Sequence, residues 1–218
     1  MKVLKVNLLT DYSDAIREAV KVLKEGGTII YPTDTIYGIG CNATDYKAVE
    51  TIYRIKDRSL EKPLSVIARN MAWMRELAFI PPKLEPTLEK LWPGAITVIL
   101  PKKPVIPTIV TAGADTVGLR IPDYELCDKL LAKFGYPIIS TSANMAGMGD
   151  DDAWNIAKVI ENFKPRMWQP DLVLDVGNLE ISAPSTVIDF STLQPKILRM
   201  GPVKPRQLEI ILNLKLKA

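Results

Sequence analysis

Thr28-Ile29-Ile30-Tyr31-Pro32-Thr33-Asp34-Thr35-Ile36-Tyr37-Gly38-Ile39-Gly40 opens with a short β-prone run that a proline ends. The residues after Pro32 are rich in hydroxyls, as expected of a functional loop at a strand end. Lys56-Asp57-Arg58 and Ser140-Thr141-Ser142-Ala143-Asn144 likewise follow apolar stretches. Between them these segments supply cations, hydroxyls and backbone N–H groups, the donors that hold a phosphorylated ligand. The glycines of Gly38-Ile39-Gly40-Cys41-Asn42-Ala43 formally fit a dinucleotide fingerprint. That fingerprint needs its first glycine at the strand end, with a helix opening at once. Here the strand stops near Pro32, so the glycines are read as permitting close backbone approach around a pocket lined by Thr33, Thr35 and Tyr37.

Outward from this stretch, helices and strands interleave without a strict βαβ rhythm. Helical periodicity runs over Asp14–Glu25 with Ser13 as N-cap, over Asp45–Ile55 with Thr44 as cap, and over Tyr124–Phe134. Pro81–Leu91 reads as helical, although Pro86 argues against one simple helix. Asp152–Phe163 reads as a helix with Asp150-Asp151-Asp152 at its positive end. Pro205–Leu214 closes the chain, with Lys204 at the N-cap and Pro205 at the first helical position. Strands are expected at the N-terminus, Pro63–Ala68, Ala95–Leu100, Val117–Ile121, Pro137–Ile139, Leu172–Asp175, Thr186–Phe190 and Lys196–Met200. The pattern implies a mixed sheet in an α/β or α+β fold, with residues 1–218 forming one domain.

Composition narrows the chemistry. The chain has 218 residues, 47% of them hydrophobic, enough for a substantial core. It contains no histidine, so serine–histidine and cysteine–histidine catalysis are excluded. Cys41 and Cys127 lie far apart without metal-ligand spacing and read as buried free thiols, not a disulfide. No transition-metal site is expected. No apolar run approaches the ~20 residues of a membrane span, and no signal peptide is apparent. A soluble cytoplasmic protein is the expectation. The net charge of +3 does not suit bulk nucleic-acid binding, but residues 54–62 carry a net +2.

Three segments bear on the site. On a continuing helix, Lys56 and Arg58 would diverge by about 200°. If the helix ends near Ile55, an extended run to Pro63 would turn Lys56, Arg58 and Lys62 to one side as a cationic strip. The same segment also reads as a solvated helix end. Ser140 to Asn144 either aims hydroxyls and N–H groups at an anion or caps the next helix. Arg120, within a strand, implies a carboxylate or phosphate partner, and Arg199 repeats the theme at a strand end, with structural salt bridges as the rival explanation for either. There is no Walker-type Gly-x-x-x-x-Gly-Lys-Ser/Thr.

In order, Pro32-Thr33-Asp34-Thr35-Ile36-Tyr37-Gly38, Lys56-x-Arg58, Lys62-Pro63-Leu64, Ser142-Ala143-Asn144, Pro184-Ser185-Thr186-Val187-Ile188-Asp189 and Arg199-x-Gly201 closely resemble the YrdC-like family. The resemblance spans about residues 15–212. It implies a twisted mixed sheet flanked by helices around a basic concave pocket, in a single-domain form whose end leaves no room for the additional domain some members carry. It implies synthesis of L-threonylcarbamoyladenylate and pyrophosphate from L-threonine, bicarbonate and ATP. Mg²⁺ would accompany the phosphates, and the product would serve threonylcarbamoyladenosine modification of tRNA. Lys56 and Arg58 would act on the ATP phosphates, and Lys62, Thr116, Ser142, Asn144 and Arg199 would complete the ATP side. Thr35, Tyr37, Arg120, Ser140 and Ser185 would form the threonine side. Lys62, Ile67 and Asp150 depart from some relatives. Further partners would be tRNA or the downstream transferase complex. The competing readings are a non-catalytic double-stranded RNA or tRNA binding module, and the carbamoyl-transfer role of the related domain in hydrogenase maturation factors.

Overall fold

The computed structural model describes residues 1–147, 149, 152–192 and 194–212. Its elements run in the order β1 (Lys2–Lys5), α1 (Ser13–Lys24), β2 (Ile29–Tyr31), β3 (Gly38–Gly40), α2 (Tyr46–Lys56), β4 (Ser65–Ile67), α3 (Met71–Leu77), α4 (Glu85–Leu91) and β5 (Ile96–Pro101). They continue with β6 (Thr116–Arg120), α5 (Glu125–Phe134), β7 (Ile138–Ser142), α6 (Ile156–Phe163), β8 (Leu172–Asp175), β9 (Thr186–Asp189), β10 (Lys196–Arg199) and α7 (Pro205–Leu212). The strands form one 10-stranded sheet in the order β1-β8-β2-β3-β7-β4-β6-β5-β9-β10. Parallel pairs (β1 with β8, β2 with β8, β4 with β6, β5 with β9) mix with antiparallel ones, as the interleaved pattern requires.

Strand alternation gives the sheet two faces of different character. Ile30, Ile39, Ile139, Val66, Leu119, Val98 and Ile188 lie on one face, in a cluster that also takes in residues of α2, α4, α6 and α7. On the opposite face Ile29, Tyr31, Ile138, Ile67, Leu172 and Leu174 pack with α1 and α5 through Ile16, Val20, Leu23, Leu126 and Leu130. Further along the same strands, that second face changes. Ser140 on β7 stands opposite Ser65 on β4, Ser65 opposite Gly118 on β6, and Thr97 of β5 opposite Val187 of β9. The residues that could have been core are small or hydroxylated, and the sheet is left open there.

Local expectations were corrected in several places. Ser13 is the first helical residue of α1, not its cap; Asp11 Oδ1 accepts from its backbone N–H at 2.9 Å. Asp45, not Thr44, caps α2, accepting from the N–H groups of Lys47 and Ala48. Proline is tolerated in a helix's first turn, so α4 begins at Glu85 with Pro86 inside that turn. The helix α6 begins only at Ile156, capped by Asn155 at Lys158 N–H. Asp152 precedes it and pairs with Lys158 at 2.6 Å, while Asp150 and Asp151 lie outside the described residues. Gly38–Gly40 forms a strand, and its glycines serve the neighbouring backbone. A Cβ on Gly40 would sit 2.0 Å from the Ile139 carbonyl oxygen.

That approach predicts a cost for Gly40→Ala. Forcing β3 away from β7 should lower the unfolding free energy by about 2 kcal/mol or more in urea titration. A loss below about 0.5 kcal/mol would contradict so close a backbone contact.

Candidate active site

The open part of the sheet face, walled by the β2–β3 connection, the end of α2 and the segment after β7, encloses a cavity of about 300 Å³. Of the residues expected at the site, Thr35, Tyr37, Lys56, Arg58, Arg120, Ser140, Ser142, Asn144, Ser185 and Arg199 all line it. Lys62 and Thr116 do not. Asp57 takes a left-handed conformation (φ 50°) at the C-cap of α2, and Lys62 N–H closes a turn onto Ser59 O at 3.1 Å. The segment is therefore not an extended strip, and the Lys62 side chain is exposed away from the cavity. Thr116 begins β6 opposite Pro101, two residues short of the open floor at Gly118. Ile67 is buried apolar packing beneath α5.

Lys56 is 1% exposed, an unusual place for an ammonium. Its Nζ donates to Ser142 O, to Asn144 O at 2.6 Å and to Asn144 Oδ1 at 3.1 Å. Three donors thus meet three oxygens. Asn144 is fixed further by Ser142 Oγ, which donates to its Oδ1 at 2.7 Å. Arg58 clasps its own turn, with Nε donating to Lys62 O at 3.2 Å and Nη2 to Pro63 O at 2.9 Å. Both cations stand at the cavity, but they were expected as a free strip and are anchored one by one.

Arg120, 6% exposed, is held from three sides. Nη2 pairs with Asp34 Oδ1 at 2.5 Å, Nη1 donates to Thr35 Oγ1 at 3.0 Å, and Nε donates to Gly94 O at 3.0 Å. Two of its five N–H groups remain for a ligand. Thr33 donates to Ile36 O at 2.7 Å, so the 3.0 Å contact between the two hydroxyls runs from Thr35 to Thr33. Thr35 therefore offers a ligand an acceptor lone pair, not a proton. Tyr37 packs in the wall, but its hydroxyl donates to Gly177 O at 2.6 Å and accepts from Val176 N–H at 3.1 Å. Burial pushes that phenol above its ordinary range, so it stays neutral. Arg199 donates to Ser185 O through Nε and Nη2, and Ser185 Oγ lies 2.7 Å from Thr97 Oγ1.

Three contributors were not singled out from sequence. Ser65 and Thr97 belong to the floor, and Gly118 keeps it open: a Cβ there would meet Ser65 Oγ at 2.8 Å. Their only signal was period-2 alternation inside runs that read as buried strands. Ser140 to Ser142, expected as a loop, are the end of β7 itself, which fixes their spacing rigidly. Cys41 and Cys127 are buried free thiols; burial raises both pKa values, away from any thiolate role.

Together the lining carries Lys56, Arg58, Arg120 and Arg199 and, among the described residues, no aspartate or glutamate. The described residues also hold no group of histidine, cysteine, aspartate and glutamate fit for a metal ion, and no helix long and apolar enough to cross a membrane. Such a pocket suits a ligand with several negative charges.

Comparison with known proteins agrees with this class. Residues 21–201 match the Sua5/YciO/YrdC family, described as "Telomere recombination", and the chain belongs to that family. It is 34% identical over 199 residues to the threonylcarbamoyl-AMP synthase of Pyrococcus abyssi, covering 91% of this chain and 57% of that protein. A Vibrio vulnificus protein of the same name is 30% identical over 190 residues, covering 85% of this chain and 98% of the relative. The structure of P. abyssi Sua5 complexed with L-threonine superposes with a TM-score of 0.91 at 31% identity, over 99% of this chain and 62% of the other. E. coli YciO gives 0.82 at 25%, over 95% and 98%. The chain spans little more than half the length of the P. abyssi and Bacillus subtilis relatives.

The anchoring of the cations separates two kinds of variant. Lys56→Met takes the ammonium donor from the carbonyl oxygens of Ser142 and Asn144 and should cost about 3 kcal/mol of stability. Arg58→Ala, at a half-buried turn, should cost less than about 1 kcal/mol. Denaturant titration of both variants checks this, and equal costs would contradict the buried-tie reading of Lys56.

Proposed function

We propose that this protein makes L-threonylcarbamoyladenylate and pyrophosphate from L-threonine, bicarbonate and ATP in the cytoplasm, for transfer to an adenosine of tRNA. The observation that carries the reading is the described lining of the cavity, whose four cations and row of strand-borne hydroxyls fit a triphosphate beside a small amino acid. Relatives named for this activity, and the threonine complex of P. abyssi Sua5, support it.

The chemistry asks little of the protein beyond placement. Carbamate forms from an amine and bicarbonate without a protein nucleophile. The carbamate oxygen then attacks the α-phosphorus, and the bond to the β-phosphate oxygen breaks. Alignment and charge neutralisation lower that barrier. In this reading Arg120 takes the threonine carboxylate with its two remaining N–H groups, and Asp34, Thr35 and Gly94 hold the guanidinium still. Thr35 accepts from the amino acid, while Ser140 and Ser185 shape the threonine side. Arg58 and Arg199 face the phosphates, and Lys56 adds positive charge while fixing Ser142 and Asn144 on the nucleotide side. Magnesium would enter with the nucleotide and help neutralise its phosphate charge.

The test is pyrophosphate release from ATP with and without L-threonine and bicarbonate, with serine as control. Release should require both. Binding of structured RNA with no release under any combination would move the protein to the nucleic-acid-binding class. Arg120→Lys should raise KM for threonine at least tenfold more than KM for ATP, and Arg58→Ala should do the reverse. Equal effects on both substrates would overturn the division of the pocket.

A further inference from the structure

We infer that Thr97 is a positioning residue for the amino-acid side of the pocket: its hydroxyl sets that of Ser185 so that the serine proton meets the carboxylate seated on Arg120. The inference rests on the threonine reading above and adds a residue that acts through its neighbour.

Thr97 is the one hydroxylated residue of β5, Ile96-Thr97-Val98-Ile99-Leu100-Pro101, and is 3% exposed. A hydroxyl buried to that degree needs a partner. Among the described residues it has one, Ser185 Oγ at 2.7 Å. Ser185 stands immediately before β9 and is also buried, and both residues line the cavity. Val98 pairs with Leu119 in the antiparallel ladder of β5 and β6, so the next residues out, Thr97 and Arg120, are neighbours on the sheet. The hydroxyl pair thus stands beside the guanidinium that this reading assigns to the carboxylate.

The backbone around Ser185 is fixed without Thr97. The Ser185 carbonyl accepts from Arg199 Nε at 3.1 Å and Nη2 at 2.9 Å, and the N–H of Thr186 donates to Ala95 O at 3.0 Å. What the backbone leaves open is χ1 of Ser185, with its three staggered wells, and the direction of the hydroxyl proton. Hydrogen-bond polarity settles that direction. Arg199 Nη2 donates to Ser185 Oγ at 3.2 Å and takes one lone pair, because a guanidinium cannot accept. Thr97 Oγ1, donating along the 2.7 Å contact, takes the other. The Ser185 proton is then left for an anion. Thr35 is arranged the opposite way, with its proton spent on Thr33 and a lone pair offered. One hydroxyl that donates and one that accepts therefore attend Arg120, which matches the carboxylate of an amino acid and its polar N–H and O–H groups.

A hydrogen bond that merely stitched β5 to β9 would cost stability when removed and leave the substrate constants alone. Kinetics of threonine-dependent pyrophosphate release separate the two. Thr97→Val keeps the shape of the side chain and removes its hydroxyl. It should raise KM for threonine at least about threefold, with KM for ATP and kcat within about twofold of the wild type. Thr97→Ser should hold the threonine constant within about twofold of the wild type. Because Thr97 acts through Ser185, adding Thr97→Val to Ser185→Ala should raise the threonine KM by less than about twofold beyond Ser185→Ala alone. A smaller rise in folded Thr97→Val, an equal rise for ATP, or full multiplication of the two effects in the double variant overturns the inference and leaves the threonine site standing. If Thr97→Val does not fold, Thr97→Ser and Thr97→Cys, which differ in one atom, take its place. A threonine KM at least about threefold higher for Cys, the weaker donor, supports the inference, and a smaller difference overturns it. No threonine-dependent release from the wild type removes the reading and the inference together.

Discussion

A single sheet whose one face is mainly apolar and whose other face changes character part-way along is the constraint on which this molecule depends. Strand alternation leaves each strand residue only two directions, so core and site must be written into the same short runs. On the face under α1 and α5 the residues are Ile29, Tyr31, Ile138 and Ile67. Two positions further along β7 and two positions back on β4, the same face carries Ser140 and Ser65. Neither helix covers that ground. The pocket is thus sheet surface relieved of a covering helix, and its floor inherits the rigidity of the strands. Gly118 extends the logic, since even a methyl group there would displace Ser65 Oγ. Preorganisation of this kind suits a reaction that relies on placement more than on a reactive side chain.

The buried cations are the second consequence. An ammonium or guanidinium removed from water must find oxygens nearby, or burial becomes prohibitive. Lys56 finds them on the exit of β7, and Arg120 on Asp34, Thr35 and Gly94. Each is at once a charge for a ligand and a strut for the wall that holds the ligand. Kinetic loss on removing either would therefore mix geometry with electrostatics, so substrate-resolved constants and stability have to be read together.

Much of this was legible in the sequence. The mixed sheet, the principal helices and most residues that line the cavity could be named from periodicity and from the ordered motifs. What misled was local and physical. The parity argument for Lys56, Arg58 and Lys62 assumed an extended chain after Ile55. Instead α2 takes in Lys56 and a left-handed Asp57 starts a turn that sends Lys62 to solvent. Ser140 to Ser142 read as loop because hydroxyls are common in loops, yet they pair in register with β3 and β4. Ser65, Thr97 and Gly118 were hidden for the opposite reason. A site built on strand interiors looks like strand, and only the partner strand across the sheet shows which face is open. The role of Asp34 was equally invisible, because its partner lies 86 residues away.

Asp34 also explains how so positive a pocket can exist when empty. Its carboxylate neutralises Arg120 from behind the wall, with the side chain 14% exposed, and so offsets part of the desolvation cost without entering the cavity. A carboxylate inside the cavity would have done the same for stability. It would also have repelled an anionic ligand and competed with it for Arg120. Placing the counter-charge on the far side of the guanidinium avoids both costs. The folded chain thus carries this part of its compensation outside the described lining of the cavity.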